Sequence, residues 1–542
     1  MPAQFSSHAL RPVSPPSTPL STVLELTGAR SSGPVPDNLV VTGIEQRSNA
    51  VLPGDLFAGL PGAQAHGARF ARDAVERGAV AVLTDAAGAE LAGELDVPVL
   101  VREEPRAVLG ELSAALYGNP SQRLRIVGIT GTSGKTTTSY LVEAGLAAGG
   151  LSTALIGTIE TRIGGRRVPS ALTTPEAPQL HAMFALMVEQ GVDAVVMEVS
   201  SHALALGRVD GVRFAVGAFT NLSQDHLDFH RDFEDYFAAK RRLFDQGSPT
   251  AARTAVICVD DQWGVRLAAD LDNPTTVATT ATATIWSVPG PIAAHGGEQQ
   301  FTALGPGGNV DVRLRLPGRY NVANGLLAVA VCAAAGVDAT IAAPALATVD
   351  VPGRMQRIER GQDFLAVVDY AHKPAAVESV IATLRGHLKA DAPDSPGRLA
   401  VVVGAGGDRD AGKRPLMGAA GARGADLLII TDDNPRGEDP AAIRAALRAG
   451  ALEIPADERA EVREIGDRAE AIAAAVDWAR TGDAVLIAGK GHEAGQEIRG
   501  VKHPFDDREV LAEALRRRLR AQPVGSGVRT DNGPDSGSEA AG

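Results

Sequence analysis

This sequence of 542 residues contains few cysteines and few long apolar runs, and its net charge is negative rather than positive. The two cysteines, Cys258 and Cys332, lie far apart and form no Cys-x-x-Cys pair. This excludes a disulfide framework and a cysteine zinc site, and it fits a reducing compartment. The formal net charge of −13 argues against nucleic acid as a partner. We therefore expect a cytoplasmic protein that binds no nucleic acid.

No segment has the length and hydrophobicity of a membrane span. The most apolar stretch, 325–337, is too short, so a buried helix is the better interpretation. Residues 1–20 have no apolar core typical of a secretory signal. This segment is rich in Ser and Pro, and residues 521–542 are rich in Gly, Ser, Asp and Pro, which predicts a disordered tail at each end. We expect no membrane contact.

Short runs of Val, Ile and Leu alternate with Ala-rich helical periods, which is typical of α/β proteins with parallel sheets and crossover helices. We predict a first domain over 21–123, a central nucleotide-binding domain over 124–349 and a third domain over 350–520. Pro98 limits a weaker strand, 97–101, to a strand start or a sheet edge. The clear strands are predicted at 79–83, 126–130, 194–198, 255–259, 365–368, 399–403, 427–431 and 484–488.

A Gly-rich turn follows the strand predicted at 126–130. The run Gly131–Thr137 leads into a helix, so backbone N–H groups and the helix dipole can face a phosphate. Lys135 can reach the terminal phosphates of ATP, and the Thr136 hydroxyl can bind Mg²⁺. Ile129 stands where the strict Walker pattern has Gly, so the loop is a variant. An ordinary turn is the alternative, but the flanking strand and helix favour ATP binding.

Two further polar segments lie in the predicted central domain. Glu198 ends an apolar strand and could bind the Mg²⁺ of Mg-ATP, with a carboxylate in an ordinary strand-end turn as the alternative. Residues 220–230 hold two Asp and two His whose spacing matches no zinc pattern. Because Mg²⁺ prefers oxygen ligands, His226 would be at most one partner. A histidine without any ligand role is the alternative.

Three residues in this region carry no specific local signal. Lys240 lies in an amphipathic helical segment, where it reads as a solvated lysine. Asn321 and Asn324 precede an Ala-rich helix, where helix capping is the ordinary interpretation.

Four segments of the predicted third domain carry Asp, Arg, Lys or Glu where apolar strands end. The carboxyl ends of parallel strands meet at one crevice in a doubly wound sheet. Together they therefore predict a site for a charged small molecule. The segments are 369–372, 404–410, 431–436 and 488–493.

Taken together, these motifs resemble those of the Mur ligase family, the ATP-dependent amino-acid ligases of peptidoglycan precursor synthesis. The resemblance covers nearly the whole chain between the tails. It implies three α/β domains: a UDP-sugar-binding domain, a central P-loop-type ATPase and a C-terminal Rossmann-like domain. Asp433–Arg436 resembles the signature of members that add meso-diaminopimelate. The other motifs are Gly131–Thr137, Glu198–His202, Asn221 with Asp225-His226, Asn321 with Asn324, Gly353-Arg354 and Asp369–His372.

The resemblance also implies roles for individual residues. The nucleotide would contact Gly131, Thr132, Ser133, Gly134, Lys135, Thr136, Thr137, Asn321, Arg354 and Asp369. Catalysis would use Lys135, Glu198, His226 and Lys240, and Mg²⁺ would be bound near Thr136, Glu198, His226 and a carbamylated Lys240. The UDP-muramoyl-dipeptide site would contain Ser48, Ala63, Gln64, Ala65, Thr173, Thr174, Ser200 and Arg208. The diaminopimelate site would contain Arg409, Asp433, Asn434, Pro435, Arg436, Gly489 and Glu493.

The implied reaction joins diaminopimelate to the D-glutamate of UDP-N-acetylmuramoyl-L-alanyl-D-glutamate at the expense of ATP. An acyl phosphate would form first, and the amine would then displace phosphate. We expect a monomer that acts on these small molecules. One alternative is a ligase with another acceptor, either a lysine-adding muramoyl ligase or one like folylpolyglutamate synthase, which Asp433–Arg436 disfavours. A nucleotide-binding switch or motor is the other.

Overall fold

The computed structural model describes residues 10–62, 64–280 and 284–521. The chain divides into two compact units, the first ending at Arg354 and the second beginning at Met355. The first unit contains two main sheets and the second contains one, all flanked by helices. The predicted α/β fold class is confirmed.

The first sheet of the first unit has five strands in the order β2-β7-β6-β5-β4, and all its pairings are parallel except that of β2 with β7. A small antiparallel pair, β1 with β3, stands apart. The strands are β1 (Thr18–Pro19), β2 (Arg30–Ser31), β3 (Val40–Val41), β4 (Gly43–Glu45), β5 (Asp55–Ala58), β6 (Ala81–Thr84) and β7 (Val99–Val101). The helices are α1 (Leu20–Thr27), α2 (Ala71–Glu76), α3 (Ala86–Ala92) and α4 (Arg106–Leu116).

The second sheet of this unit has a parallel centre, β9-β12-β8-β13-β14-β15-β16, with antiparallel strands at both ends. Its strands are β8 (Arg125–Thr130), β9 (Thr153–Ile156), β10 (Glu160–Ile163), β11 (Arg166–Pro169), β12 (Ala194–Glu198), β13 (Phe214–Phe219), β14 (Thr254–Cys258), β15 (Thr275–Ala278), β16 (Trp286–Ser287), β17 (Ala293–His295), β18 (Glu298–Gly305) and β19 (Gly308–Leu314). Its helices are α5 (Lys135–Ala148), α6 (Ala177–Glu189), α7 (Ser201–Ala205), α8 (Phe233–Arg241), α9 (Gln262–Ala269), α10 (Arg319–Ala334) and α11 (Ala339–Ala345).

The apolar stretch 325–337 forms most of α10, as predicted for a buried helix. Leu326, Val329 and Cys332 are fully buried, and the helix packs against α5 and the sheet. A helix that is apolar on all sides must be covered on all sides, which this position provides. Across the described ranges, we find no helix with the length and apolar character needed to cross a membrane.

The second unit is built on a sheet of six strands in the order β20-β21-β25-β22-β23-β24, parallel except for β20. The strands, including a separate hairpin of β26 and β27, are β20 (Gln356–Arg357), β21 (Leu365–Asp369), β22 (Leu399–Val403), β23 (Leu427–Ile430), β24 (Glu461–Glu464), β25 (Ala484–Ala488), β26 (Gly495–Ile498) and β27 (Val501–Pro504). The helices are α12 (Pro374–Asp391), α13 (Lys413–Gly424), α14 (Pro440–Leu452), α15 (Arg468–Trp478) and α16 (Asp507–Ala521).

Every predicted apolar strand overlaps an observed one, and β7 begins directly after Pro98, where the prediction limits it to a strand start. The prediction of a disordered tail through residue 20 is wrong for residues 10–20. Arg11 donates to Asp55 Oδ1 at 2.7 Å and to Oδ2 at 2.8 Å, and Thr18 pairs with Val41. A buried carboxylate fixes this segment, which composition could not reveal. The remaining predicted tail residues, 1–9 and 522–542, lie outside the described residues.

A buried ion pair joins two helices of the second unit. Arg468 donates Nε and Nη2 to the two oxygens of Asp507 at 2.7 and 2.8 Å, and both side chains are fully buried. Replacing Asp507 with Asn would leave the guanidinium without its counter-charge, so we predict a loss of about 3–5 kcal/mol in the free energy of unfolding. Urea denaturation followed by circular dichroism measures this loss.

The matched control for this prediction is Glu513→Gln in the same helix. Glu513 pairs with Arg516 at 3.2 Å, but both side chains are about half exposed. This change should move the free energy of unfolding by less than about 0.5 kcal/mol. Equal losses in the two variants would contradict the role given to the buried pair.

Candidate active site

The Gly-rich turn predicted to bind phosphate lies between β8 and α5. Gly131 and Gly134 have φ values of +145° and +86°. A Cβ at Gly131 would lie 1.9 Å from Thr220 Oγ1, and one at Gly134 would lie 2.4 Å from Asn324 Oδ1. Only glycine fits both positions, because a side chain would clash and the backbone is in or near the left-handed region. The loop therefore presents bare backbone at a helix N-terminus.

The loop is held by residues from the segment that follows β13. Asn221 Oδ1 accepts from Ser133 N at 2.9 Å, and its amide nitrogen donates to Ser133 O at 3.1 Å. The Thr132 hydroxyl lies 3.1 Å from the Tyr236 hydroxyl. Lys135 Nζ donates to Gly131 O and to Thr132 O, each at 2.9 Å, so the lysine lies over its own loop.

Glu198 and Thr136 meet at the first turn of α5. The Thr136 hydroxyl lies 3.0 Å from both carboxylate oxygens of Glu198, which is 1% exposed. Thr158 donates its backbone N–H to Glu198 Oε1 at 2.8 Å and its hydroxyl to Oε2 at 3.1 Å. A Cβ at Gly157 would lie 2.5 Å from Glu198 Oε1. The carboxylate is therefore fixed beside the loop, and its binding of Mg²⁺ stays a prediction.

Lys240 is 1% exposed, so its local interpretation as a solvated lysine is wrong. Its Nζ donates to Gly131 O at 2.9 Å and lies 4.5 Å from the centre of the Tyr236 ring. Burial lowers the pKa of the Lys240 amine well below its usual value, and repulsion from Lys135 adds to this. A neutral amine is the reactive form of lysine, so the position favours chemistry at Nζ.

Asn321 and Asn324 lie inside the first turns of α10 rather than at its cap. Gly318 occupies the N-cap position, so the helix-capping alternative is wrong. Asn321 donates its amide to Pro317 O at 2.7 Å, and Asn324 donates to Asn321 Oδ1 at 3.0 Å. Asn324 Oδ1 accepts from Thr138 at 3.3 Å. The pair connects α10 with the first turn of α5.

His226 has a φ of +54° and lies in a group of aromatic rings. Its ring centre is 4.9 Å from that of His202, which stacks on Phe229 at 4.1 Å. Burial lowers the pKa of both histidines, although Asp225 acts in the opposite direction on His226. Both imidazoles are therefore biased toward the neutral form that can accept a proton or a ligand.

Four of the residues assigned to the UDP-muramoyl-dipeptide site lie together beside Glu198. Thr174 Oγ1 lies 3.0 Å from Ser200 N, and Arg208 Nη1 lies 3.4 Å from Thr174 O. The Thr173 hydroxyl lies 3.1 Å from that of Thr158. The other four come earlier in the chain. Ser48 is in a short 3₁₀ turn, Gln64 and Ala65 are exposed, and Ala63 lies outside the described residues.

In the second unit, Asp433, Asn434 and Glu493 converge where β23 and β25 end. Asn434 Nδ2 donates to Glu493 Oε2 at 2.9 Å. Lys490 Nζ lies 3.1 Å from Asp433 Oδ1 and 2.9 Å from Asn434 Oδ1. Gly489, with φ of +120°, approaches Asp433 so closely that a Cβ would lie 3.1 Å from its Oδ2. The predicted meeting of these strand ends is therefore observed.

Arg436 follows in the same turn, with a φ of +51°. Its Nη1 donates to Gly407 O at 2.7 Å, and its Nε lies 3.5 Å from Glu497 Oε2. A Cβ at Gly407 would lie 1.9 Å from Pro435 O, so the 404–410 loop packs directly on this turn. Arg409 belongs to that loop and is exposed.

The last two nucleotide-site candidates lie near the division of the chain. Arg354 ends the first unit, and its backbone N–H donates to Val351 O at 3.1 Å. Asp369 ends β21 in the second unit and accepts from Met355 N at 2.7 Å and from Ala371 N at 2.8 Å. Both of its oxygens thus stabilise local backbone.

The donor set around Thr136 fits magnesium better than a metal held by protein alone. Within the described ranges no group of three or more His, Cys, Asp or Glu side chains could hold a metal ion. Magnesium is usually bound through one or two carboxylates together with substrate phosphates. One carboxylate and one hydroxyl, Glu198 and Thr136, stand at the phosphate loop in this arrangement.

Three residues with structural roles here are given no individual role by the sequence analysis, although Lys490 lies in the predicted segment 488–493. Tyr236 lies one helical turn before Lys240, so its place on the same helix face could have been inferred from spacing. Lys490 stands between two glycines at a strand end, which is a weak signal. Thr158 carries no signal, because its role depends on a strand-end turn that brings it to Glu198.

Three family models match the chain. The Mur ligase family catalytic domain matches residues 40–117, the Mur ligase middle domain matches 129–332, and the Mur ligase glutamate ligase domain matches 353–491. The chain belongs to the Mur ligase family. The predicted three-domain Mur ligase architecture agrees with these matches.

Similar proteins narrow the class further. A protein of Corynebacterium efficiens, described as UDP-N-acetylmuramoyl-L-alanyl-D-glutamate--2,6-diaminopimelate ligase, is 55% identical over 466 residues, covering 85% of this chain and 87% of that protein. One of Streptomyces coelicolor with the same description is 51% identical and covers 94% and 98%. A solved structure of a ligase so described is 32% identical, with a TM-score of 0.67 and coverage of 93% and 100%.

We predict that Gly134→Ala weakens the binding of ADP by about tenfold or more. The alanine Cβ would strain a backbone with φ of +86° and would clash with Asn324, which displaces the loop. Isothermal titration calorimetry measures the affinity. Gly150→Ala is the matched control, because Gly150 has φ of +85°, has no atom within 4 Å of the added Cβ and lies at the other end of α5. An unchanged affinity in Gly134→Ala would contradict the assigned loop.

Proposed function

We propose that this chain is the ATP-dependent ligase that adds meso-diaminopimelate to the D-glutamate of UDP-N-acetylmuramoyl-L-alanyl-D-glutamate. The observation that carries the proposal is the phosphate loop with Thr136 bonded to Glu198, in a chain 51% identical to a ligase of that description over 98% of its length. This function belongs to peptidoglycan precursor synthesis in the cytoplasm, where ATP is available.

In the first step, an oxygen of the D-glutamyl γ-carboxylate attacks the γ-phosphorus of ATP. A carbon–oxygen–phosphorus linkage forms, the bond to ADP breaks, and an acyl phosphate results. The backbone N–H groups of Gly131–Thr137 and the Lys135 ammonium stabilise the phosphate charge. Thr173, Thr174, Ser200 and Arg208 lie beside Glu198, so we assign them to the muramoyl dipeptide.

In the second step, an amino group of diaminopimelate attacks the acyl carbon. The amide bond forms, inorganic phosphate leaves, and the amine gives up a proton. A free carboxylate is a poor electrophile at neutral pH, so phosphorylation is what supplies a leaving group. No covalent enzyme nucleophile is needed, and the protein acts by positioning and by charge stabilisation.

Magnesium would be held by Glu198 and Thr136, with His226 and a carbamylated Lys240 nearby. When bound, it would neutralise charge on the transferred phosphate. In carbamylation the neutral Lys240 amine bonds through Nζ to the carbon of CO₂ and releases one proton, which leaves an anionic carbamate. The buried position and the lowered pKa of Lys240 support this step, because the neutral amine is the form that reacts with CO₂.

The amino-acid site would be formed by Arg409, Asp433–Arg436, Gly489 and Glu493. Diaminopimelate differs from lysine by a second carboxylate, and a guanidinium can bind such a group with two hydrogen bonds. Carboxylates such as Asp433 and Glu493 suit the ammonium groups of the same substrate. A lysine-adding ligase, or a nucleotide switch without ligase chemistry, would not need this combination.

The experiment that tests the proposal is phosphate release in the presence of ATP and UDP-muramoyl dipeptide with diaminopimelate, lysine or ornithine. We expect release with diaminopimelate and little with the other two. ATP turnover without the muramoyl substrate would indicate a switch or a motor. Preference for lysine would indicate another acceptor.

We predict that Arg436→Ala raises the KM for diaminopimelate by about tenfold or more and leaves the KM for ATP within about twofold. The reason is the loss of charge-assisted hydrogen bonds to the distal carboxylate, each worth roughly 1.5–3 kcal/mol. The KM for diaminopimelate of Arg436→Lys should lie between those of the wild type and Arg436→Ala, since an ammonium keeps the charge but cannot bind the carboxylate in fork geometry. Steady-state kinetics measures these values, and an unchanged KM for diaminopimelate would refute the assignment.

We predict that activity depends on CO₂ through Lys240. Wild-type enzyme prepared in CO₂-free buffer should lose activity and recover it on addition of bicarbonate. The activity of Lys240→Arg should be about 100-fold lower than that of the wild type and should not recover with bicarbonate. A ¹³C carbamate signal from protein equilibrated with ¹³CO₂ is the readout independent of turnover. The exposed Lys389→Arg is the control. A wild-type enzyme without this signal would contradict carbamylation.

A further inference from the structure

Lys490 is a fully buried cation directly beneath the amino-acid site. It follows β25, and its side chain is 0% exposed. Its Nζ donates to Asn434 Oδ1 at 2.9 Å and to Gly495 O at 2.8 Å, and it lies 3.1 Å from Asp433 Oδ1. Lys490 Nζ thus makes two hydrogen bonds and one ion pair inside the protein. Because it has no exposed surface, Lys490 acts on the site through its neighbours.

Lys490 fixes which way the Asn434 amide points. Asn434 Oδ1 accepts from both Lys490 Nζ and Glu497 N, the latter at 3.0 Å. An amide oxygen that receives two donors must face them, so Nδ2 is turned toward Glu493 Oε2 at 2.9 Å. The lysine therefore decides where the hydrogen-bond donor of Asn434 stands.

Lys490 also separates two carboxylates that would otherwise repel each other. Burial and the nearby charge of Asp433 raise the pKa of Glu493, while Asn434 and Lys490 lower it. Lys490 Nζ lies 3.1 Å from Asp433 Oδ1 and 4.0 Å from Glu493 Oε2. Its positive charge thus offsets part of the repulsion between the two side chains.

The backbone around Lys490 is shaped to send its side chain inward. Gly489 and Gly491, on either side, have φ values of +120° and +56°. These values favour glycine, so the chain turns sharply on both sides of one buried lysine. Gly495, whose carbonyl is the second hydrogen-bond acceptor of Lys490, begins β26, so the same ammonium also holds the adjoining hairpin.

We propose that Lys490 is a positioning residue of the acceptor amino-acid site. Its ammonium holds the Asp433 carboxylate and the Asn434 amide in the orientation that receives the amino acid. This inference rests on the proposed function, because the proposed function identifies diaminopimelate as the amino acid that binds at this site. It adds a residue that touches no substrate and determines how tightly the substrate is bound.

The test is Lys490→Met, which keeps an unbranched side chain of similar length and removes the charge. We expect the KM for diaminopimelate to rise by about tenfold or more, because the Asp433–Asn434 geometry is lost. The KM values for ATP and for UDP-muramoyl dipeptide should stay within about twofold. A residue with only a structural role would reduce the amount of folded enzyme and leave all three KM values unchanged. That result would overturn the proposal.

Lys389→Met is the matched control, since it makes the same substitution at an exposed position of α12. It should change none of the three KM values. Lys490→Met leaves Asp433 buried without its partner, so the double variant Lys490→Met/Asp433→Asn serves if the single variant does not fold. We expect its KM for diaminopimelate to exceed that of Asp433→Asn alone, because the orientation of the Asn434 amide is lost as well. A KM equal to that of Asp433→Asn alone would overturn the proposal.

Failure of this inference is distinguishable from failure of the proposed function. If the proposed function is wrong, the wild-type enzyme itself releases no phosphate with diaminopimelate. If only the role of Lys490 is wrong, the wild type is active and the variant binds diaminopimelate as well as the wild type does.

Discussion

The close packing of two glycines of the phosphate loop against two neighbouring segments is the constraint on which the nucleotide site depends. Gly131 lies against Thr220, and Gly134 lies against Asn324, with no room for a Cβ at either point. The same loop carbonyl, Gly131 O, accepts from Lys135 and from Lys240. Segments far apart in sequence therefore pack around one turn, and this packing fixes the positions of the Lys135 and Lys240 amines.

Buried charge is the second recurring feature, and it is costly wherever it is not paired. Lys490 and Arg468 are fully buried, and each lies within 3.1 Å of a carboxylate oxygen. Buried pairs of this kind contribute little net stability, because desolvation offsets the attraction. They are better understood as devices that fix geometry. In the second unit, Lys490 does so for the side chains proposed to receive the amino acid.

The sequence revealed those parts of the fold and site whose signal is local. Apolar runs gave the parallel strands, and glycines followed by Lys135 and Thr136 marked the phosphate loop. The burial of Lys240 could not be read in this way, because its own helix looks amphipathic and the covering comes from the distant loop at Gly131. Arg11 was missed for the same reason, since its partner Asp55 lies in another element.

The central claim is that ATP is used to activate the D-glutamyl carboxylate, and isotope transfer tests it most directly. The enzyme would be supplied with UDP-muramoyl dipeptide labelled with ¹⁸O in the γ-carboxylate, together with ATP and diaminopimelate. An acyl phosphate requires the attacking oxygen to leave with phosphorus, so the released phosphate should carry one ¹⁸O atom for each amide formed. Unlabelled phosphate would show that ATP is hydrolysed by water, and it would contradict the account.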